Sequence, residues 1–291
     1  MRFSVGLAAL AATLAAVAPS AYAADVRDGR RIVWRDEFDG TGVNSAKWRF
    51  RKTMTANDCV YTNDERPVKV EGGMLRLRAL PSGDPAKPWM LPKGLATHDT
   101  MGFRYGYLEM RARVPFRHGA WPSFWTQSTP ILQKAPYMAE IDVFEVFSST
   151  NILMSNLHKW QWPKVHKMRS DEIQDGKYEF SFKTAADPGD EFHVYGMEWT
   201  PETISFHVDG ELFTSFGIRD GDDFAPEGKL GMKGFHDFQS VIINNEIFTP
   251  GHGWCPPENA IRPEDGLEIV YLVDWVRLWQ GRPGEAITVI H

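Results

Sequence analysis

Three carboxylates stand within six residues in the run Ala139-Glu-Ile-Asp-Val-Phe-Glu-Val-Phe147, set among apolar, β-forming neighbours: Glu140, Asp142 and Glu145. Side chains alternate along a strand, so Glu140 and Asp142 share a face while Glu145 would point the other way. One extra residue taken up as a β-bulge after Asp142 returns Glu145 to the face of the first two. Ile141, Val143 or Phe144, and Val146 then pack inward, and the three acids line the opposite face. Charge repulsion makes such a row costly unless one acid keeps a proton. Two neighbouring carboxyls, one ionised and one protonated, are what retaining glycoside hydrolysis needs: a nucleophile and a general acid about 5 to 5.5 Å apart. Asp142, between them, can hydrogen-bond Glu140 and influence the proton distribution of the group. A solvated strand face or a calcium site could use the same three residues.

The elements that must position these acids read as short β-rich runs punctuated by Gly, Pro, Asn and Asp. They include Arg31–Arg35, Val68–Val70, Met74–Ala79, Tyr105–Val114, Phe192–Trp199, Thr203–Val208, Val241–Ile247 and Ile269–Leu278. Glu71-Gly-Gly73 and Asp209-Gly210 are hairpin signals between them. After residue 23, no 12-residue stretch carries a helical stripe. The pattern predicts an all-β fold, a large two-sheet sandwich in one domain. Longer loops are expected over Pro81–His98, Lys159–Lys177, Gly217–Glu227 and Thr249–Gly266.

Composition narrows the function classes. The 291 residues are 43% apolar and carry 32 Lys+Arg against 38 Asp+Glu, a net charge of −6 without a basic run, which argues against a nucleic-acid partner. Aromatics reach 13%, with 11 Trp, and some of those rings are expected to face a ligand. Residues 1–23 read as a secretory signal peptide: Arg2, an apolar stretch, then Ala-Tyr-Ala23 before the cleavage point. The expectation is a secreted or periplasmic protein, with residues 24–291 as one catalytic domain and no membrane association once the signal is removed. Cys59 and Cys255 could form one disulfide closing a long loop, stabilising by roughly 4 kcal/mol, or stay as two thiols. Clustered Cys and His ligands for a metal are missing from the sequence.

In ordered matches along nearly the whole mature chain, the sequence resembles glycoside hydrolase family 16, the laminarinase, agarase and carrageenase group of concanavalin-like β-jelly-roll enzymes. Glu140-Ile-Asp142-Val-Phe-Glu145 resembles the bulged form of that family's active-site strand. Val33-Trp-Arg-Asp-Glu-Phe-Asp39 with Lys47-Trp48 looks like its N-terminal strand. Tyr105-Gly-Tyr-Leu-Glu-Met-Arg111 and Trp121-Pro-Ser-Phe-Trp125 look like the lead into the catalytic strand. Phe192 to Gly210 and Tyr271 to Arg277 resemble its later strands. The resemblance implies a jelly-roll sandwich of two curved antiparallel sheets, with a sugar chain along the concave face. It implies Glu140 as nucleophile, Asp142 as its supporting acid and Glu145 as general acid/base.

Substrate contacts follow the same resemblance. Trp121 and Trp125, four residues apart and on one face if strand-like, would stack on sugar beside the nucleophile, with core packing as the alternative. His158 would bind sugar near the acid/base or serve as a structural histidine. Trp160 and Trp162 would extend the cleft or pin the loop under Pro163. Lys159, Lys164, His166, Lys167 and Arg169 suit either an anionic glycan or a solvated loop. No catalytic cofactor is implied; a structural calcium ion is allowed.

The expected activity is that of a monomeric retaining endo-β-glycosidase on a polysaccharide. A β-1,3- or mixed-linkage glucan and a galactan such as agarose or carrageenan all stay open as substrates. Transglycosylation and non-hydrolytic carbohydrate binding are the alternatives. Tyr137-Met-Ala139 departs from the Gly that laminarinase-like members often place before the first Glu. Val241–Ile247 departs too, and offers polar groups to a sugar.

Overall fold

Residues 26–51, 59–134, 138–148, 152–161, 166–167, 178–181, 188–219, 235–250, 260–261 and 268–289 are described in the computed structural model. Residues 1–23, Trp162, Lys164, Arg169 and Cys255 lie outside them, and with Cys255 lies the choice between one disulfide and two thiols; Cys59 is buried. No helix among the described residues is long and apolar enough to cross a membrane.

In chain order the strands are β1 (Val26–Arg27), β2 (Arg30–Asp36), β3 (Arg49–Arg51), β4 (Cys59–Thr62), β5 (Val68–Glu71), β6 (Met74–Asp84) and β7 (Lys87–Pro92). Next come β8 (Gly94–Ala96), β9 (Met101–Arg104), β10 (Gly106–Arg113), β11 (Ala120–Ser128), β12 (Met138–Glu145), β13 (Ile152–Gln161) and β14 (His166–Lys167). The remainder are β15 (Tyr178–Ser181), β16 (His193–Trp199), β17 (Thr203–Val208), β18 (Glu211–Gly217), β19 (Gln239–Ile247), β20 (Ile269–Gln280) and β21 (Ala286–Val289). One sheet runs β18-β17-β16-β10-β20-β6-β7-β4, with β2 beside β20, β1 beside β2 and β5 beside β6. The second runs β14-β13-β12-β11-β19-β8-β3, with β15 on β13, β9 on β19 and β21 on β9. The fold is the expected all-β jelly roll.

Local chemistry sets the hairpins. At Gly72-Gly73 and at Asp209-Gly210 both central residues have positive φ, 61° and 72°, then 52° and 85°, and the flanking residues Glu71/Met74 and Val208/Glu211 pair directly. These are type I′ turns, whose twist matches the strands they join. Prolines misdirect the expectation elsewhere. The segment Pro81–His98 is not a loop: it holds the end of β6, all of β7 and β8, with Asp84 and Lys87 closing a tight hairpin. Its Trp89 and Leu91 are fully buried in a small second core with Ala79, Ile247 and Ile269, and that burial outweighs the turn signals. Lys159–Gln161 likewise continues β13 rather than opening a loop.

The main core fills the space between the sheets. Phe124, Ile141, Phe144, Leu157 and Ile243 of the second sheet meet Leu75, Leu77, Met110, Tyr195, Tyr271 and Val273 of the first. Phe144 lies 4.5 Å from Tyr195 and 6.3 Å from Tyr271, ring centre to ring centre. Asn245 of β19 also points inward, where its Nδ2 donates to the carbonyls of Leu77 and Ile269 at 2.8 and 3.1 Å. Much of the tryptophan surplus goes to packing: Trp48, Trp89, Trp199 and Trp279 are among the largest fully buried side chains.

Candidate active site

The central strand β12 lies between β11 and β13, and its register slips against both. Phe144 pairs with Phe124 and Asp142 with the next residue, Trp125; on the other side Glu145 pairs with Met154 and Asp142 with Asn156. Val143 is therefore the extra residue of a β-bulge, where the sequence pattern requires one. Its carbonyl accepts a hydrogen bond of 2.7 Å from the buried Ser155 hydroxyl. Phe144 anchors the bulge from below through its contacts with the core tyrosines. As a result Ile141, Val143, Phe144 and Val146 are buried, while Glu140 and Glu145 remain partly exposed. Glu140, Asp142 and Glu145 occupy one face, the side of the second sheet turned away from the core.

Neighbouring strands bring polar partners to that face. Glu145 is held at both oxygens: Trp121 Nε1 donates to Oε1 at 3.0 Å and Asn156 Nδ2 donates to Oε2 at 3.2 Å. Neighbouring protein atoms crowd this partly exposed carboxyl, so desolvation first and the nearby Asp142 carboxyl second push its pKa up to about 8, against the lowering influence of His158, Trp121 and Asn156. Asp142 is 2% exposed, and burial holds its carboxyl well above the ordinary range. Its Oδ2 has no hydrogen-bond partner, although His158 Nε2 lies 3.1 Å away, near enough for charge to act but off hydrogen-bond geometry.

The Glu140 side of the row carries the cation. Arg51 of β3 stacks over the Trp125 ring, 4.8 Å from its centre. Burial lowers its guanidinium from the usual value, and the charges of Glu140 and Glu246 work against that lowering. Trp125 Nε1 donates to Asn244 Oδ1 at 3.3 Å, and Tyr61 donates to Glu246 at 3.0 Å. His98 and Gln127 meet at 3.2 Å beside them.

The expected site residues thus separate. Glu140, Asp142, Glu145, Trp121, Trp125 and His158 are brought together. Trp121 is 7% exposed and stacks on Phe248 at 4.9 Å, so one ring face is covered and its indole N–H serves Glu145. Trp125 is the more open of the two. The Trp160 backbone pairs with Met138 and Lys167, so it follows His158 along the same strand. Asn156, Arg51, Asn244 and Glu246 were not singled out from sequence. Period-two alternation back from His158 would have found Asn156, and the polar departure in Val241–Ile247 contains Asn244 and Glu246. Arg51 is distant in sequence and has no comparable signal.

Among the described residues, one group of donors is compact enough to enclose a cation: Glu140, Asp142 and His158, whose atoms lie within 4.8 Å of one another. That group coincides with the acidic row.

A jelly roll with a bulged, acid-lined strand on its outer face has the form of a polysaccharide-processing domain. The laminarinase structure from Rhodothermus marinus superposes with a TM-score of 0.67 at 24% identity, covering 86% of this chain and 97% of that one. Residues 53–230 match the family model "Glycosyl hydrolases family 16", and the chain belongs to that family. A β-glucanase of Rhodothermus marinus is 26% identical over 255 residues, 86% of this chain and 85% of that protein. Glucan endo-1,3-beta-glucosidase A1 of Niallia circulans is 25% identical over 206 residues, 64% of this chain; the match spans only 29% of that longer protein.

Proposed function

We propose that the protein is an exported, retaining endo-β-glycosidase that cleaves a β-1,3- or mixed-linkage glucan. The observation that carries the mechanism is the unequal setting of two acids on one face. Glu145, pushed up to about 8, keeps a proton at neutral pH. Glu140 lies within reach of the Arg51 charge, and the two attract one another. In the first step the Glu140 carboxylate attacks the anomeric carbon, the glycosidic C–O bond breaks, and the Glu145 proton passes to the leaving oxygen. In the second, Glu145 takes a proton from water, whose oxygen displaces Glu140 and restores the first configuration. Asp142 supports Glu140 from the middle of the row.

Trp125 offers a flat apolar surface for a sugar ring, fixed in angle by Asn244 and Arg51. The two glucan-cleaving relatives support the choice of substrate, and the leader supports export. In the test, the protein is incubated with laminarin, lichenan, agarose and carrageenans, and the first products are followed by proton NMR. Products of retained β configuration from a glucan are expected; an inverted anomer or turnover only of a galactan would overturn the corresponding part of the reading. Transglycosylation would appear as products longer than the substrate fragments. Glu140→Gln should lower glucan hydrolysis by roughly 1,000-fold or more while leaving the fold intact, and wild-type turnover in that variant would remove Glu140 from the mechanism.

A further inference from the structure

The most informative residue that the mechanism leaves unused is Asn156. It is 3% exposed, stands on β13 directly opposite Asp142, and gives its amide N–H to Glu145 Oε2. Its other end is unsatisfied: Asn156 Oδ1 is buried without a donor, and so is Asp142 Oδ2 on the facing strand. Each of these directly paired residues thus holds a buried acceptor without a hydrogen, which is unfavourable, and one proton on Asp142 shared with Asn156 would supply what both lack. Burial holds the Asp142 carboxyl toward that protonated form.

We infer that Asn156 is a positioning residue that joins two carboxyls: it accepts the Asp142 proton on Oδ1 and holds Glu145 through Nδ2. The consequence concerns timing. A hydrogen bond to a carboxylate is stronger than one to a carboxylic acid, so the Asn156 contact strengthens as Glu145 gives up its proton. An amide already accepting at its oxygen is also a better donor at its nitrogen. Asn156 thereby stabilises the charge that appears on Glu145 during bond cleavage, with Trp121 doing the same at the other oxygen. The charged and titratable groups around this carboxyl are Asp142 and Glu140 on β12, His158 on β13, and Glu246 on β19, which pairs in register with Trp121.

The inference rests on the reading of Glu145 as acid/base, and the experiment separates the two. Wild type, Asn156→Leu and the isosteric Asn156→Asp are prepared as full chains with 13C-labelled glutamate carboxyls, and thermal melts confirm that each variant is folded. The Glu145 signal is assigned by its loss in Glu145→Gln. Its titration midpoint should move upward in Asn156→Leu and at least as far in Asn156→Asp; an unmoved midpoint in the folded variants would overturn the inference without any assay of activity.

Kinetically, Asn156→Leu should lower kcat on β-1,3-glucan by about 10- to 100-fold with KM changed by less than about threefold. The first step on a dinitrophenyl β-glycoside, whose leaving group needs no proton, should change by less than about threefold. Equal losses on both substrates would overturn the positioning role. A shifted midpoint together with full glucan hydrolysis by Glu145→Gln would keep the Asn156 contact and overturn only the acid/base reading of Glu145.

Discussion

Buried carboxyls occur on both sheets, and the two sheets treat them in opposite ways. On the first sheet the buried carboxyls meet cations: Arg30, fully buried, binds Glu198 at 2.8 Å and Glu285 at 2.6 Å, Arg277 grips Glu37 through two bonds of 2.9 and 2.8 Å, and Lys47 meets Asp36 at 3.2 Å. Glu198 is lowered, its partial burial offset by Arg30 and Arg282. On the acidic row of the second sheet, Asp142 and Glu145 have no guanidinium contact among the described residues; they lie beside a histidine, an indole and an amide, and both are raised. Glu109 marks the boundary between the regimes. Even with Arg27 at 2.5 Å and the Arg277 charge nearby it is raised, because desolvation exceeds what the two cations return. The first sheet uses charge pairing for cohesion, whereas the acidic row of the second keeps under-compensated acids.

The largest effect that could break this contrast belongs to Glu145. Replacing it with Gln should reduce hydrolysis of unactivated glucan by roughly 100- to 10,000-fold. The same change should stabilise the protein in mild alkali. The folded carboxyl titrates near 8 and the free one near 4.5, so the native state holds a proton that the unfolded chain has released across that window. Stability therefore falls as pH rises from 4.5 to 8, and Glu145→Gln should recover on the order of 3 kcal/mol at the alkaline end. Thermal melts of both proteins from pH 5 to 8.5 measure it; parallel curves would show that the acid is not strained by burial.

Next in size is Arg30→Met, which leaves Glu285 and part of Glu198 without their cation. It should cost about 3 kcal/mol, read by urea unfolding, and leave kcat of the folded protein unchanged. Here the pH sign reverses. A lowered carboxyl such as Glu198 contributes above its ordinary value and loses that contribution as pH falls through its folded value, so wild type should lose its advantage over Arg30→Met in acid. An activity loss matching the stability loss would mean that the two sheets are not separable in function.

The smallest effect sharpens the role of the bulge. Ser155→Ala removes the donor to the Val143 carbonyl and should destabilise by about 1 to 2 kcal/mol. Because Phe144 still anchors the bulge in the core, hydrolysis should fall by no more than about tenfold. A larger loss would assign the register of the three acids to Ser155 rather than to the aromatic contacts beneath them.

Much of this architecture was legible in the sequence because its causes are local. Glycine pairs at Gly72-Gly73 and the Asp209-Gly210 turn dictate hairpins whatever surrounds them, and alternation marks β2, β5, β17 and β20 within one or two residues at most ends. The spacing of Glu140, Asp142 and Glu145 required a bulge, since a regular strand cannot put all three on one face. Prolines in Pro81–Pro92 concealed β7 and the end of β6 because the burial of Trp89 and Leu91 that overrides them comes largely from elements far along the chain.

What only the tertiary structure decided is the company each side chain keeps. Adjacent Asn244 and Asn245 read alike, yet one orients Trp125 on the outer face and the other ties the two sheets together inside. Trp121 and Trp125 share a face, but Phe248 covers one and leaves the other more open. The donors on Glu145 come from β11 and β13, and the cation facing Glu140 from β3, three strands away from β11 along the sheet. A sequence fixes which way a side chain points along its own strand, because backbone geometry repeats every two residues. It does not state the dielectric surroundings or the hydrogen-bond partners that set a proton's affinity, since these are supplied by packing between distant strands.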